Sequence, residues 1–121
     1  MVPEHRQTIV VADDDERMRE LIVRILTFAG YEALEAADGR QAIALVRQRS
    51  CYALITDLEM PEQEGIETIR ELRQSHPALR ILVISGSSPD NVRAAMMLGG
   101  TIGLLKPFNR EQLLEAVHAL A

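Results

Sequence analysis

Apolar residues in this chain come in short runs separated by longer stretches of mixed polarity. The runs are Thr8–Ala12, Ala33–Ala36, Tyr52–Thr56, Arg80–Ile84 and Ile102–Leu105. Continuous runs of this length, rich in Val, Ile and Leu, fit strands buried on both faces of a parallel sheet. The second run is the weakest, because Glu32 and Glu35 flank or interrupt it. The stretches between them carry a helical period. Met18, Leu21, Ile22, Ile25, Leu26 and Ala29 share one face, and Gly30 comes next as a stop. Gly39 opens a second helix with Ala42, Ile43 and Val46 on one side. Ile66, Ile69 and Leu72 mark a third, which ends before Pro77. Ser88 is placed to cap a fourth, with Pro89 at its first position and Gly99-Gly100 as its end. Asn109 is placed to cap the last, which buries Leu113, Leu114, Val117 and Leu120.

Five strand–helix units in strict alternation predict an α/β fold, doubly wound, with a parallel sheet and helices on both faces. In such sheets ligands bind outside the carboxyl ends of the strands. The 121 residues fit one domain, residues 1–121, large enough to bury roughly two-thirds of its unfolded surface without a disulfide. Two Phe, two Tyr and no Trp leave an aliphatic core and no stacking platform for single-stranded nucleic acid. Lys plus Arg is 13 against 18 Asp plus Glu, a net charge of -5, which disfavours direct binding to phosphate backbones. A lone cysteine, Cys51, excludes an internal disulfide and reads as a packed thiol in a reducing compartment. Met1 to Thr8 has no signal-peptide core and no apolar run is long enough to span a membrane, so a cytoplasmic location is expected.

The strand ends carry the chemistry. Strand one ends in Asp13-Asp14-Asp15, strand three in Asp57, strand four in Ser85 and strand five in Lys106-Pro107. Asp13, Asp14 and Asp57 would bring three negative charges into one crevice, and packed carboxylates repel. A divalent cation and Lys106 bring that sum to zero. Magnesium takes carboxylate oxygens and phosphate oxygens readily, and an Asp carboxylate can accept a phosphoryl group covalently. Such a transfer adds about one negative charge, which the cation, Lys106 and the Ser85 hydroxyl would each offset. Each feature has a plainer reading. The acidic triplet can cap helix one, Asp57 with Pro61 and Gly65 can form a turn, Ser85 can be a strand-end hydroxyl, and Lys106 a solvated terminus. Together those readings require four coincidences at one edge of one sheet.

Four segments carry a resemblance: Ile9-Val10-Val11-Ala12-Asp13-Asp14-Asp15, Asp57-Leu58-Glu59-Met60-Pro61 through Gly65, Ile84-Ser85-Gly86, and Lys106-Pro107-Phe108. In order and spacing they resemble the signatures of the response regulator receiver family, over nearly the whole chain. The resemblance implies the flavodoxin-like (βα)5 fold with strand order 2-1-3-4-5. It implies Asp57 as phosphoacceptor, and Mg2+ held by Asp13, Asp14, Asp57 and the main-chain carbonyl of Glu59. Ser85 would hydrogen-bond a phosphoryl oxygen and Lys106 would pair with it, with Lys106-Pro107 as the family's cis bond. The domain would be a signalling switch that catalyses only its own phosphorylation and dephosphorylation. A histidine kinase or histidine phosphotransfer protein would be the donor, meeting helix one, where Met18, Arg19 and Ile22 are candidates on the exposed margin. Helix four, strand five and helix five would form the output face. Neither nucleic acid nor membrane is an expected partner.

Four positions depart from the family or tune it. Gly103 stands where an aromatic is usual, so the coupling from Asp57 to the outer face must run differently, with the helix-four region as the alternative route. Glu59 and Ser87 occupy positions that in the family set how fast the phosphoryl group is lost. Ser85 stands where Thr is commoner. Two rival functions arise from the same residues: a pseudo-receiver that binds without taking phosphate, and a phosphatase of the haloacid dehalogenase type. The first usually loses an acidic residue or the lysine, whereas this chain keeps the set. The second is poorly matched by Glu16 and Arg17 after the acidic triplet. A calcium loop is excluded by Glu62 and Thr68 at the positions needing Gly and Glu. His5, His76 and His118 are too scattered for zinc. Met96 and Met97 are expected to divide between core and surface, and Arg47, Arg49, Arg70 and Arg73 to lie on solvated faces.

Overall fold

A computed structural model describes residues 6–60, 64–86 and 89–121. Pro61, Glu62, Ser87, His5 and the proposed cap Ser88 lie outside the described residues. The chain alternates β1 (Thr8–Ala12), α1 (Glu16–Phe28), β2 (Glu32–Ala36), α2 (Gly39–Gln48), β3 (Ala53–Asp57), α3 (Glu64–Ser75), β4 (Arg80–Ser85), α4 (Pro89–Leu98), β5 (Ile102–Leu105) and α5 (Arg110–Ala119). All strands are parallel, in the order β2-β1-β3-β4-β5. The expected flavodoxin-like architecture is therefore present.

Alternation along each strand divides the core in two. Val10, Ala12, Leu54, Ile81 and Val83 face α2, α3 and α4, meeting Ala42, Val46, Ile69, Leu72 and Ala95. Ile9, Val11, Ala53, Ile55, Leu82 and Ile84 face α1 and α5, meeting Ile22, Leu26, Leu113, Val117 and Leu120. Because both faces are covered, β1 and β3 are buried at every position, which explains their unbroken apolar runs. Local signals fix the helix starts. Asp15 caps α1 by accepting from the Arg17 and Met18 amides, and Asp38 caps α2. Asn109 and Gln112 form a reciprocal capping box on α5.

The register sets the functional edge. Ala12 pairs with Thr56, Asp57 with Ile84, and Ser85 with Leu105. The ladders continue one step beyond, with Leu58 N–H donating to the Ile84 carbonyl and Lys106 N–H to the Ser85 carbonyl. Asp13, Asp57, Ser85 and Lys106 thus emerge at one edge. Gly65 lets α3 close on this edge, since a Cβ there would lie 2.5 Å from the Asp57 carbonyl oxygen.

Several expectations about side chains are corrected, among them Leu21 of the α1 stripe, which is exposed, and Leu114 of α5, which is only half-buried. Ile22 is 1% exposed and packs in the α1/α5 core. The apolar stripe, not the outer margin, claims it, and the exposed apolar residues of α1 are Leu21 and Phe28. Arg73 is not a solvated cation. Its guanidinium donates to the carbonyls of Pro77, Leu79 and Gly99, tying the end of α3 to the turn after α4. Arg47 and Arg49 are exposed, paired with Glu71 and Glu32. Met97 is exposed as expected, while Met96 is only half-buried.

Gly103 explains how α4 sits. A Cβ at this position would overlap Val92 Cγ1 of α4. The bare backbone of β5 therefore receives Val92 from the helix. Gly103→Ala is expected to lower stability by about 1–3 kcal/mol through overpacking, read as a lower denaturant midpoint at unchanged slope. Adding Val92→Ala should recover part of that loss, a non-additivity expected only if the two positions share one space.

Candidate functional site

The crevice above β1 and β3, where strand order reverses, holds the acidic cluster. One oxygen each from Asp13, Asp14 and Asp57 lie within 4.8 Å of one another. Asp13 and Asp57 are 2% and 4% exposed, while Asp14 opens to solvent. Each buried carboxylate is held by backbone and side chain. Asp57 Oδ1 accepts from the Glu59 amide at 2.9 Å, and Oδ2 from Lys106 Nζ at 2.9 Å. Asp13 Oδ1 accepts from the Asp15 amide at 2.9 Å, with Lys106 Nζ 3.9 Å from its Oδ2. Arg19 braces the segment by donating to the Asp13 carbonyl at 2.8 Å while pairing with Glu35. The triplet is thus divided in its tasks: Asp15 alone caps α1, and Asp13 and Asp14 remain for the crevice.

The electrostatics leave the cluster short of positive charge. Burial, contact with the Glu59 carboxyl and the nearby Asp13 push the Asp57 carboxyl up to about 6, against the pull of the Glu59 amide and Lys106. Burial also raises Asp13, with the charges of Asp14 and Asp15 adding to it, although the Asp15 amide and Lys106 oppose the rise. Burial alone would lower Lys106, but Asp57, Asp13 and Glu59 together hold its ammonium above its ordinary value. One lysine does not neutralise three carboxylates. A hard divalent cation together with that lysine does, and the donor set of carboxylate oxygens with one solvent-facing side suits such an ion.

Ser85 is fully buried at the end of β4, and the Lys106-Pro107 peptide is cis. The Ser85 hydroxyl donates to Glu59 Oε1 at 2.8 Å, and the Gly86 amide donates to the same oxygen at 2.8 Å. The family resemblance singles out Glu59 for its main-chain carbonyl and for its place two residues beyond Asp57. That its side chain reaches back across the crevice to strand β4 has no counterpart in the sequence pattern. Every other residue expected at the site, Asp13, Asp14, Asp57, Ser85 and Lys106, converges at this edge.

The fold and this crevice belong together in one class: residues 9–118 match the response regulator receiver domain family, and the chain belongs to it. It is similar to the response regulator MprA of Mycolicibacterium vanbaalenii, 38% identical over 113 residues that cover 93% of this chain and 49% of the relative. The transcriptional regulatory protein CpxR of Klebsiella pneumoniae is 37% identical over a similar span. The chain spans about half the length of these curated relatives. Among solved structures, the chemotaxis protein CheY4 of Vibrio cholerae superposes with a TM-score of 0.90 at 30% identity, covering 97% of this chain and all of that one. No described helix is long and apolar enough to cross a membrane.

Proposed function

We propose that Asp57 accepts a phosphoryl group and that the domain serves as a switch in a two-component or phosphorelay pathway. The observation that carries this reading is the joint geometry of one edge: a buried carboxylate paired with Lys106 at 2.9 Å, beside two further carboxylates and a buried hydroxyl. A carboxylate oxygen of Asp57 attacks phosphorus, the bond from phosphorus to the donor's nitrogen or oxygen breaks, and the leaving group departs with that electron pair. Lys106 and the Ser85 hydroxyl then face the new phosphoryl oxygens. Asp13, Asp14, Asp57 and the Glu59 carbonyl would hold Mg2+, which supplies positive charge against the negative charge gathered in transfer. The donor would be a histidine kinase or histidine phosphotransfer protein, as suits a family member whose relatives are named response regulators. The phosphatase reading is disfavoured because Glu16 and Arg17, which begin α1, do not match the residues its motif requires.

With α4 seated on the bare backbone of Gly103, we infer that the output change runs through α4 rather than through an aromatic on β5. The test uses acetyl phosphate and intact mass. With Mg2+ a single phosphoryl adduct is expected, and with a chelator none. Amide shifts in the adduct should concentrate in residues 92–103. Equal adduct with and without the metal would contradict the cation's role, and unmoved amides over 92–103 would remove α4 from the output route.

A further inference from the structure

The Glu59 side chain performs a task that the phosphoacceptor reading leaves unassigned, and its interpretation rests on that reading. The Ser85 hydroxyl and the Gly86 amide, the first from the end of β4 and the second from the residue after it, converge on one oxygen, Glu59 Oε1, each at 2.8 Å. Two donors meeting on one anionic oxygen is the arrangement a phosphoryl oxygen needs. The oxygen they hold belongs to a residue whose own amide donates to Asp57 Oδ1 at 2.9 Å. Acceptor and carboxylate are therefore tied through one short segment.

We propose that Glu59 is an internal stand-in for the phosphoryl group: its carboxylate occupies the Ser85 and Gly86 donors in the unphosphorylated protein and must leave when Asp57 is phosphorylated. Three physical points support this. A carboxylate oxygen matches a phosphoryl oxygen in charge and in accepting two donors at once. A phosphoryl group on Asp57 carries about two negative charges, so Glu59 and the new group repel while competing for the same partners. Reach is specific to glutamate, since aspartate at this position keeps the charge but is one methylene too short to span from the β3 end to Ser85. Glu59 is thus a positioning residue that presets the donors and sets a threshold for phosphorylation.

The test compares wild type, Glu59→Ala and Glu59→Asp as the full chain. The Gly86 amide proton is recorded without any phosphodonor, and adduct formation from acetyl phosphate with Mg2+ is timed by intact mass. Both variants should shift the Gly86 amide, and both should form adduct about tenfold faster, the scale of one charge-assisted hydrogen bond. If Glu59→Asp matches wild type in both readouts while Glu59→Ala is fast, charge alone is at work and the stand-in is overturned. Equal rates in three proteins that all form adduct, or slower variants, also overturn it while leaving Asp57 as acceptor. Absence of adduct from all three overturns the phosphoacceptor reading beneath it.

Discussion

In metal-free buffer at pH 7, Asp57→Asn is expected to be more stable than the wild-type chain by about 1–3 kcal/mol, while forming no phosphoryl adduct. The two outcomes share one cause. Asp57 is 4% exposed, and burial pushes its carboxyl up to about 6 even though Lys106 lies 2.9 Å away. The folded protein therefore holds the proton more tightly than the unfolded chain does. Stability from this group is highest below the unfolded value near 4, falls as pH rises toward about 6, and stays lowered above it. Asparagine keeps the shape, removes the charge and leaves Asp13 as a partner for Lys106 at 3.9 Å. In chelator, the wild-type minus variant difference in denaturation free energy should fall, becoming more negative, across roughly pH 4 to 6 and be flat above it. Saturating Mg2+ should shrink the difference, because an ion that binds the folded state stabilises it by mass action. A wild type more stable than the variant at every pH in chelator would contradict this account of the cluster.

The second large effect is expected at Lys106. Its ammonium is the one cation within 4 Å of the Asp57 and Asp13 carboxylates among the described residues. Lys106→Met keeps an apolar stem packed near Gly86, where an added Cβ would meet Lys106 Cδ and Cβ at 3.5 and 3.6 Å, and deletes the ammonium with its charge and its hydrogen bond to Asp57. Phosphorylation by acetyl phosphate should slow by about a hundredfold, the usual consequence of removing one fixed donor to developing negative charge. Asp57 should become harder still to ionise, so the metal-free penalty on folding should increase. A rate within about threefold of wild type, far short of the loss expected for such a donor, would show that Lys106 neutralises the resting cluster but takes no part in transfer.

Much of this site is legible in the order of residues, and the reasons are local. Strands buried on both faces leave continuous apolar runs, so β1, β3 and β4 stand out and their ends can be read as one edge. The boundaries of β2 are less clear because it is the edge strand. Glu32 joins the ladder with Thr8 through its backbone while its side chain pairs with Arg49 and Thr8 outside the core. Ile22 fits both the apolar stripe and the outer margin of α1 by its spacing, and packing against Ile9 and Val11 decides for the stripe. Arg73 looks like an ordinary surface cation because its partners are carbonyls on other segments, a class of contact with no sequence signature. Glu59 is marked by its position, but the reach of its side chain to Ser85 depends on how β3 and β4 are juxtaposed. Gly103 stands out through the family resemblance, which implies an aromatic there. That Val92 fills the space is set by the seating of α4, which no local pattern encodes.

The measurement that bears most directly on the central claim is the identity of the residue that carries phosphate. After reaction with acetyl phosphate and Mg2+, borohydride reduces an acyl phosphate to the alcohol, so peptide sequencing should find homoserine at position 57 and nowhere else. Homoserine at position 13 or 14, or a borohydride-resistant phosphate on Ser85, would contradict the assignment of Asp57 as the phosphoacceptor.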